Sequence, residues 1–146
     1  MAFATFSGPV RCGTVKDAPG VNTGCIVLSQ TAALGLTTST PFILPAGAQI
    51  LNFYIDVTTT FTTSATLAVG DGTTVNKYVT AITTPAAGRQ TNTPTAAQIT
   101  AMSNIGTTDV TVTVTMAGTT ATAGAGFITV VYVQHLSDGA QVPPSA

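Results

Sequence analysis

From Asp109 to Met116 the chain reads Asp-Val-Thr-Val-Thr-Val-Thr-Met, with valine on one parity and threonine on the other. Both residue types branch at Cβ and are stiff at χ1, so they suit a pleated strand better than a helix. A period of two turns one set inward and the other outward, which is the pattern of a half-buried strand. The rest of the chain has the same bias: threonine takes 31 of the 146 positions, and glutamate and tryptophan are absent. The reading is an all-β fold.

Such a chain folds, because disorder goes with low hydrophobicity and high net charge. As a free monomer it makes a poor colloid: soluble domains carry ~25% charged residues, against 6% here. Much of its surface is therefore expected to be covered by something else. The length suits one core, and no shift in composition divides the chain. Arg11, Lys16, Lys77 and Arg89 are scattered through a chain of net charge −1, which gives no electrostatic footprint for nucleic acid. The opening MAFATFSGPVRCG has neither a basic leader nor a continuous apolar stretch, and no segment nears the ~18 apolar residues of a membrane span. Neither a secretory route nor a membrane is expected.

Alternation in Leu51-Asn52-Phe53-Tyr54-Ile55-Asp56-Val57 predicts a second strand, with Leu51, Phe53, Ile55 and Val57 inward. Gly70-Asp71-Gly72 between residues 65–69 and 73–79 signals a tight hairpin, because these residues tolerate positive φ. Earlier strands are expected around 25–28 and 42–44, with Pro45-Ala46-Gly47 as a turn. Phe127 to Val133 is apolar on both parities, so it is central in a sheet or covered by a partner subunit. One short helix is expected after Thr93, with Pro94 first in it, a Thr95/Gln98 capping pair, Ile99 and Met102 on one face, and Gly106 ending it. Residues 85–92 read as an exposed loop. The domain organisation is an extended arm (1–24), a β-sandwich (25–135) and a C-terminal tail (136–146). Partner contacts are expected at Phe3, Phe6 and Val10 of the arm and at Ile128, Val130, Tyr132 and His135 of the last strand.

Catalytic chemistry finds little support. His135 is the single histidine and sits where the last strand gives way to a polar tail, the place of a surface or interface residue. Asp17, Asp56, Asp71, Asp109 and Asp138 fall in separate segments, and there is no Asp-x-Asp spacing for calcium. Gly118, Gly124 and Gly126 match no phosphate-binding pattern. Cys12 and Cys25 lack the second pair a structural zinc needs; they are either two small thiols or a disulfide closing the N-terminal segment under oxidising conditions. The row Thr111, Thr113, Thr115 resembles the arrays of ice-binding solenoids, but no fixed repeat accompanies it. No enzyme signature, metal site or cofactor is expected.

Between about residues 41 and 134 the order of segments resembles small tailed-phage virion proteins of the capsid decoration or cement type. The resemblance lies in Leu44-Pro45-Ala46-Gly47-Ala48 leading into 50–59, then Leu67-Ala68-Val69-Gly70-Asp71-Gly72, Ala86-Ala87-Gly88-Arg89, the Thr-Val repeat, and Ala123-Gly124-Ala125-Gly126 before a strand ending Val131-Tyr132-Val133. It implies an antiparallel β-sandwich, with the jelly roll among its forms. It also implies a place on the capsid exterior, contact with the major capsid protein, and self-association as a dimer or trimer that bridges capsomers. An alternative within virions is a tail, fibre or adhesion module that offers the loops at 70–72 and 85–92 to a host glycan. The lack of tryptophan and scarcity of other aromatics speak against that.

Overall fold

A computed structural model describes residues 25–62, 65–83, 86–117 and 122–135. The expected arm and tail, with Phe3, Phe6, Val10 and Cys12, lie outside the described residues. The strands are β1 (Cys25–Leu34), β2 (Ser39–Leu44), β3 (Gln49–Thr59), β4 (Thr66–Gly70), β5 (Val79–Thr83), β6 (Gly88–Gln90), β7 (Val110–Ala117) and β8 (Ala125–His135), with helix α1 (Ala96–Ser103) between β6 and β7. They form two four-stranded antiparallel sheets, ordered β1-β8-β3-β6 and β2-β7-β4-β5.

The order has a simple origin. β1 pairs with β8, β2 with β7, β3 with β6 and β4 with β5, as in one long hairpin folded at its middle. Rolling that hairpin over itself adds the β3–β8 and β4–β7 pairings. The result is the eight-stranded jelly roll, a double Greek key. The sandwich inferred from sequence is thus this particular form.

The core lies between the sheets. Ile55, Ile128 and Val130 face Leu67, Val69, Val112 and Val114, all fully buried. Each such side chain contributes about 1.5–3 kcal/mol through loss of apolar surface from water. The valines of β7 point inward as the alternation requires, and β8 is central, as its apolar character predicted. In β3 one residue departs from the pattern. Ile50 pairs with Tyr132 and Asn52 with Val131, so Leu51 is the extra residue of a bulge. That single insertion buries Ile50 and turns Leu51, expected inward, out to 48% exposure.

Two turns show how local chemistry fixes the connections. At 45–48 the Ala48 amide donates to the Pro45 carbonyl (3.1 Å) and Gly47 takes φ +74°, the turn that the Pro-Ala-Gly run predicts. At Gly70-Asp71-Gly72 the hairpin forms, but not with a tight turn: β5 starts only at Val79, and residues 71–78 make a longer loop. The Asp71 carboxylate organises it, accepting from the Thr73 and Thr74 amides (3.0 and 2.7 Å) and from the Lys77 ammonium (2.8 Å). The loop folds back so closely that a Cβ on Gly70 would overlap the Thr74 carbonyl. Residues 85–92, expected as open loop, contain β6, which extends the first sheet beyond β3.

Helix α1 crosses from the first sheet to the second and closes one end of the sandwich. Thr95 is its N-cap, so Pro94 precedes the cap and is not the first helical residue. Thr95 Oγ1 accepts from the Gln98 amide (3.3 Å) while Gln98 Oε1 accepts from the Thr95 amide (2.9 Å), a reciprocal capping box. Gln98 Nε2 also donates to the Asn76 carbonyl (2.9 Å) and Thr80 Oγ1 (3.1 Å). The inward face is therefore Gln98 with Met102, four residues apart, and Ile99 is left 55% exposed. After the helix, the Gly106 carbonyl accepts from the Gly47 amide (2.7 Å), tying this end to the 45–48 turn. Gln98→Ala keeps the backbone amide that donates to Thr95 Oγ1 but leaves the Thr95 amide without its side-chain acceptor and the Asn76 carbonyl without its donor. We expect a loss of about 2 kcal/mol, seen as a lower Tm in thermal unfolding followed by circular dichroism.

Candidate interaction surface

The charged side chains of residues 25–134 are Asp56, Asp71, Lys77, Arg89 and Asp109, and each is engaged within the chain. Asp56 on β3 receives a bidentate pair from Arg89 on β6, Nε to Oδ1 at 2.7 Å and Nη2 to Oδ2 at 2.9 Å. Lys77 pairs with Asp71 across the 71–78 loop. Asp109, just ahead of β7, accepts from the Ala46 amide at 2.9 Å. Carboxylates committed to ion pairs and backbone amides serve geometry. Among the described residues no group of three or more His, Cys, Asp or Glu could hold a metal ion. No helix among them is long and apolar enough to cross a membrane.

What the first sheet offers is its outward face. Register places Ala33, Phe127, Asp56 and Arg89 in one row across β1, β8, β3 and β6, and Thr31, Thr129 and Tyr54 in the next. Ser29, Val131 and Asn52 follow, and Val27 lies beyond them opposite Val133. Val27 (60%), Phe127 (50%), Leu51 (48%) and Tyr54 (39%) stand exposed on this side. Thr31 and Thr129 hydroxyls share a hydrogen bond of 2.8 Å, and the Arg89 guanidinium lies 5.3 Å over the Tyr54 ring. The face is apolar with neutral polar ladders, and its one ion pair is internally compensated.

The second sheet's outward face differs. Its central strands present Thr111, Thr113, Thr115, Ala68 and Gly70, all small. The 71–78 loop lies over part of it, for Gly72 comes against the Thr113 hydroxyl and Thr113 is buried. The threonine row is thus not an open flat array.

The contact residues expected on β8 divide. Ile128, Val130 and Tyr132 point into the core, so they are consumed by the chain's own packing and give no partner surface. Tyr132 keeps its hydroxyl satisfied at the core's edge by accepting from Gln30 Nε2 at 3.0 Å. His135 ends β8 opposite Cys25. The outward residues of β8 are Phe127, Thr129 and Val131, which sequence reasoning passed over. The signal lay in Thr129: a lone polar residue on the odd parity marks that parity as outward.

No protein-family model and no curated protein matches the chain. Two solved structures share its fold. One is a chain from the acidic stable capsid structure of Helicobacter pylori bacteriophage KHP30, at 16% identity and TM-score 0.54, covering 77% of this chain and 93% of that one. The other is a chain of the cyanophage Pam1 capsid asymmetric unit, at 23% identity and TM-score 0.56, covering 89% and 97%. Both neighbours come from phage capsids. At these identities the likeness is one of fold.

The ion pairs set a pH window. The Arg89 hydrogen bonds hold the Asp56 carboxyl below its usual 3.8. Partial burial pushes Asp71 up, but Lys77 and the Thr74 and Thr73 amides outweigh it, and its pKa also lies below 3.8. Both carboxylates add stability in full above their unfolded pKa and lose it as pH falls through the lowered folded values. The Asp71 carboxylate raises Lys77 above 10.5, so its contribution holds below that value and fades as pH rises through the raised one. We expect a Tm that is flat from about pH 5 to about pH 9 and falls only outside it. A fall of more than about 5 °C inside that window, measured by calorimetry, contradicts this assignment.

Proposed function

We propose that the chain is a non-enzymatic structural component of a phage virion, which decorates the outside of the capsid and stabilises it by bridging capsomers. The observation that carries this reading is the fold match to two capsid chains, spanning 93% and 97% of their lengths and 77% and 89% of this one. The match takes in nearly the whole of those chains, and a small sandwich of this kind suits a component added onto a shell. Its partners are the major capsid protein and further copies of itself, as dimer or trimer.

Charge supports the same role. Many copies sit close together on a shell, and bodies with few charges, four of the five in residues 25–134 being paired with one another, repel one another little. The outward face of the first sheet, with Leu51, Tyr54 and Phe127, supplies an apolar surface for the shell. Residues 1–24 reach a neighbouring subunit. A glycan-binding tail module is less well supported, since Arg89 covers the Tyr54 ring that would serve as a sugar platform.

An apolar, uncharged contact has a measurable signature. Purified protein added to shells that lack it should pellet with them equally, within about twofold, at ionic strengths of about 0.05 M and about 0.5 M. A loss of about tenfold or more at the higher salt shows that binding is electrostatic and overturns the proposed surface. Removing residues 1–24 should abolish pelleting with the β-type circular dichroism spectrum unchanged; unaltered pelleting contradicts the role of the arm.

A further inference from the structure

Four strands lie at sheet edges: β1 and β6 in the first sheet, β2 and β5 in the second. An edge presents backbone N–H and C=O groups that can pair with another chain, and proteins blunt edges with short strands, charge, proline or bulges. Three of the four are blunted. β6 has three residues and carries Arg89. β2 contains Pro41, and its register with β7 breaks between Ser39 and Phe42. β5 has five residues, and its pairing with β4 shifts between Leu67 and Val69.

β1 has no such device. Its ten residues, CIVLSQTAAL, include no charge, proline or glycine. They pair with β8 in unbroken register from Cys25–His135 to Leu34–Gly126. Val27 and Leu28 stand 60% and 40% exposed along it. A long, regular, neutral edge of this kind is a template for strand addition.

We propose that β1 pairs antiparallel with β1 of a second copy across a two-fold axis, joining two first sheets into one continuous sheet of eight strands. Paired residues must share a face, so the axis passes through a residue and not between two. With the axis at Gln30, Val27 lies opposite Ala33 of the second copy, Leu28 opposite Ala32, and Ser29 opposite Thr31. Large side chains then meet small ones on both faces. The Ser29–Thr31 pair extends the hydroxyl ladder that Thr31 already makes with Thr129. This fit between the two halves of one strand is what an isologous contact needs, and a strand from a different protein would have no reason to match it. Pairing also joins the two outward apolar faces into one surface. The inference concerns the isolated protein and stands apart from the capsid reading.

The test uses the full chain in solution without any shell. Sedimentation equilibrium should give twice the 14.6 kDa chain mass, or an even multiple of it. Ser29→Lys with Thr31→Lys brings like charges together at the axis and should give a monomer with an unchanged circular dichroism spectrum. Ala81→Lys, on β5, should remain a dimer. In a Cys12→Ser, Cys25→Ser background, Ser29→Cys with Thr31→Cys should form a covalent dimer on oxidation, fixing the register. A monomeric or trimeric parent, a lysine variant that stays associated, or a cysteine variant that gives no covalent dimer overturns the proposal.

Discussion

The fold depends on the burial of one pair of central strands against another. β3 and β8 in the first sheet press Ile55, Ile128 and Val130 onto Leu67 and Val69 of β4 and Val112 and Val114 of β7. These contacts join residues far apart in sequence, and they hold only if the nested hairpin has rolled fully. The loops follow from that closure. Gly70 must lack a side chain because the 71–78 loop returns over it, and Gly124 must lack one because the Phe61 ring packs where a Cβ would stand.

Charge is sparse, and that of residues 25–134 is engaged within the chain. Asp56 holds β6 onto β3 through Arg89, Asp71 shapes the β4–β5 loop, and Asp109 fastens the 45–48 turn to the start of β7. The surface left over consists of threonine, alanine and single exposed apolar residues, which suits broad contact with other protein better than selective recognition of an ion or a charged polymer.

Much of this was legible in the sequence, because period-two alternation reports directly on which side of a strand is buried. The valines of β7 and the residues Phe53, Ile55 and Val57 of β3 were readable for that reason. The failures have physical causes. A bulge at Leu51 is a one-residue change of register that alternation cannot announce, and β8 is apolar on both parities, so Ile128, Val130 and Tyr132 looked as available to a partner as Phe127 does. The helix cap was seen, but its inward face was not, because Gln98 is buried by hydrogen bonds rather than by hydrophobicity. The candidate surface was the least legible part. It lies on the outward residues of β1, β8 and β3, which only the long-range pairings of β8 with the other two bring together.

A jelly roll whose described charges are engaged within the chain, with one sheet face and one strand edge left plain, has the features that the proposed assembly role requires. The most direct measurement is the copy number of the 14.6 kDa chain in purified particles, by quantitative mass spectrometry against the major shell protein. A decorating role predicts hundreds of copies per particle, on the order of the shell subunits themselves. A handful of copies places the protein in the tail, and its absence from washed particles contradicts a virion role altogether.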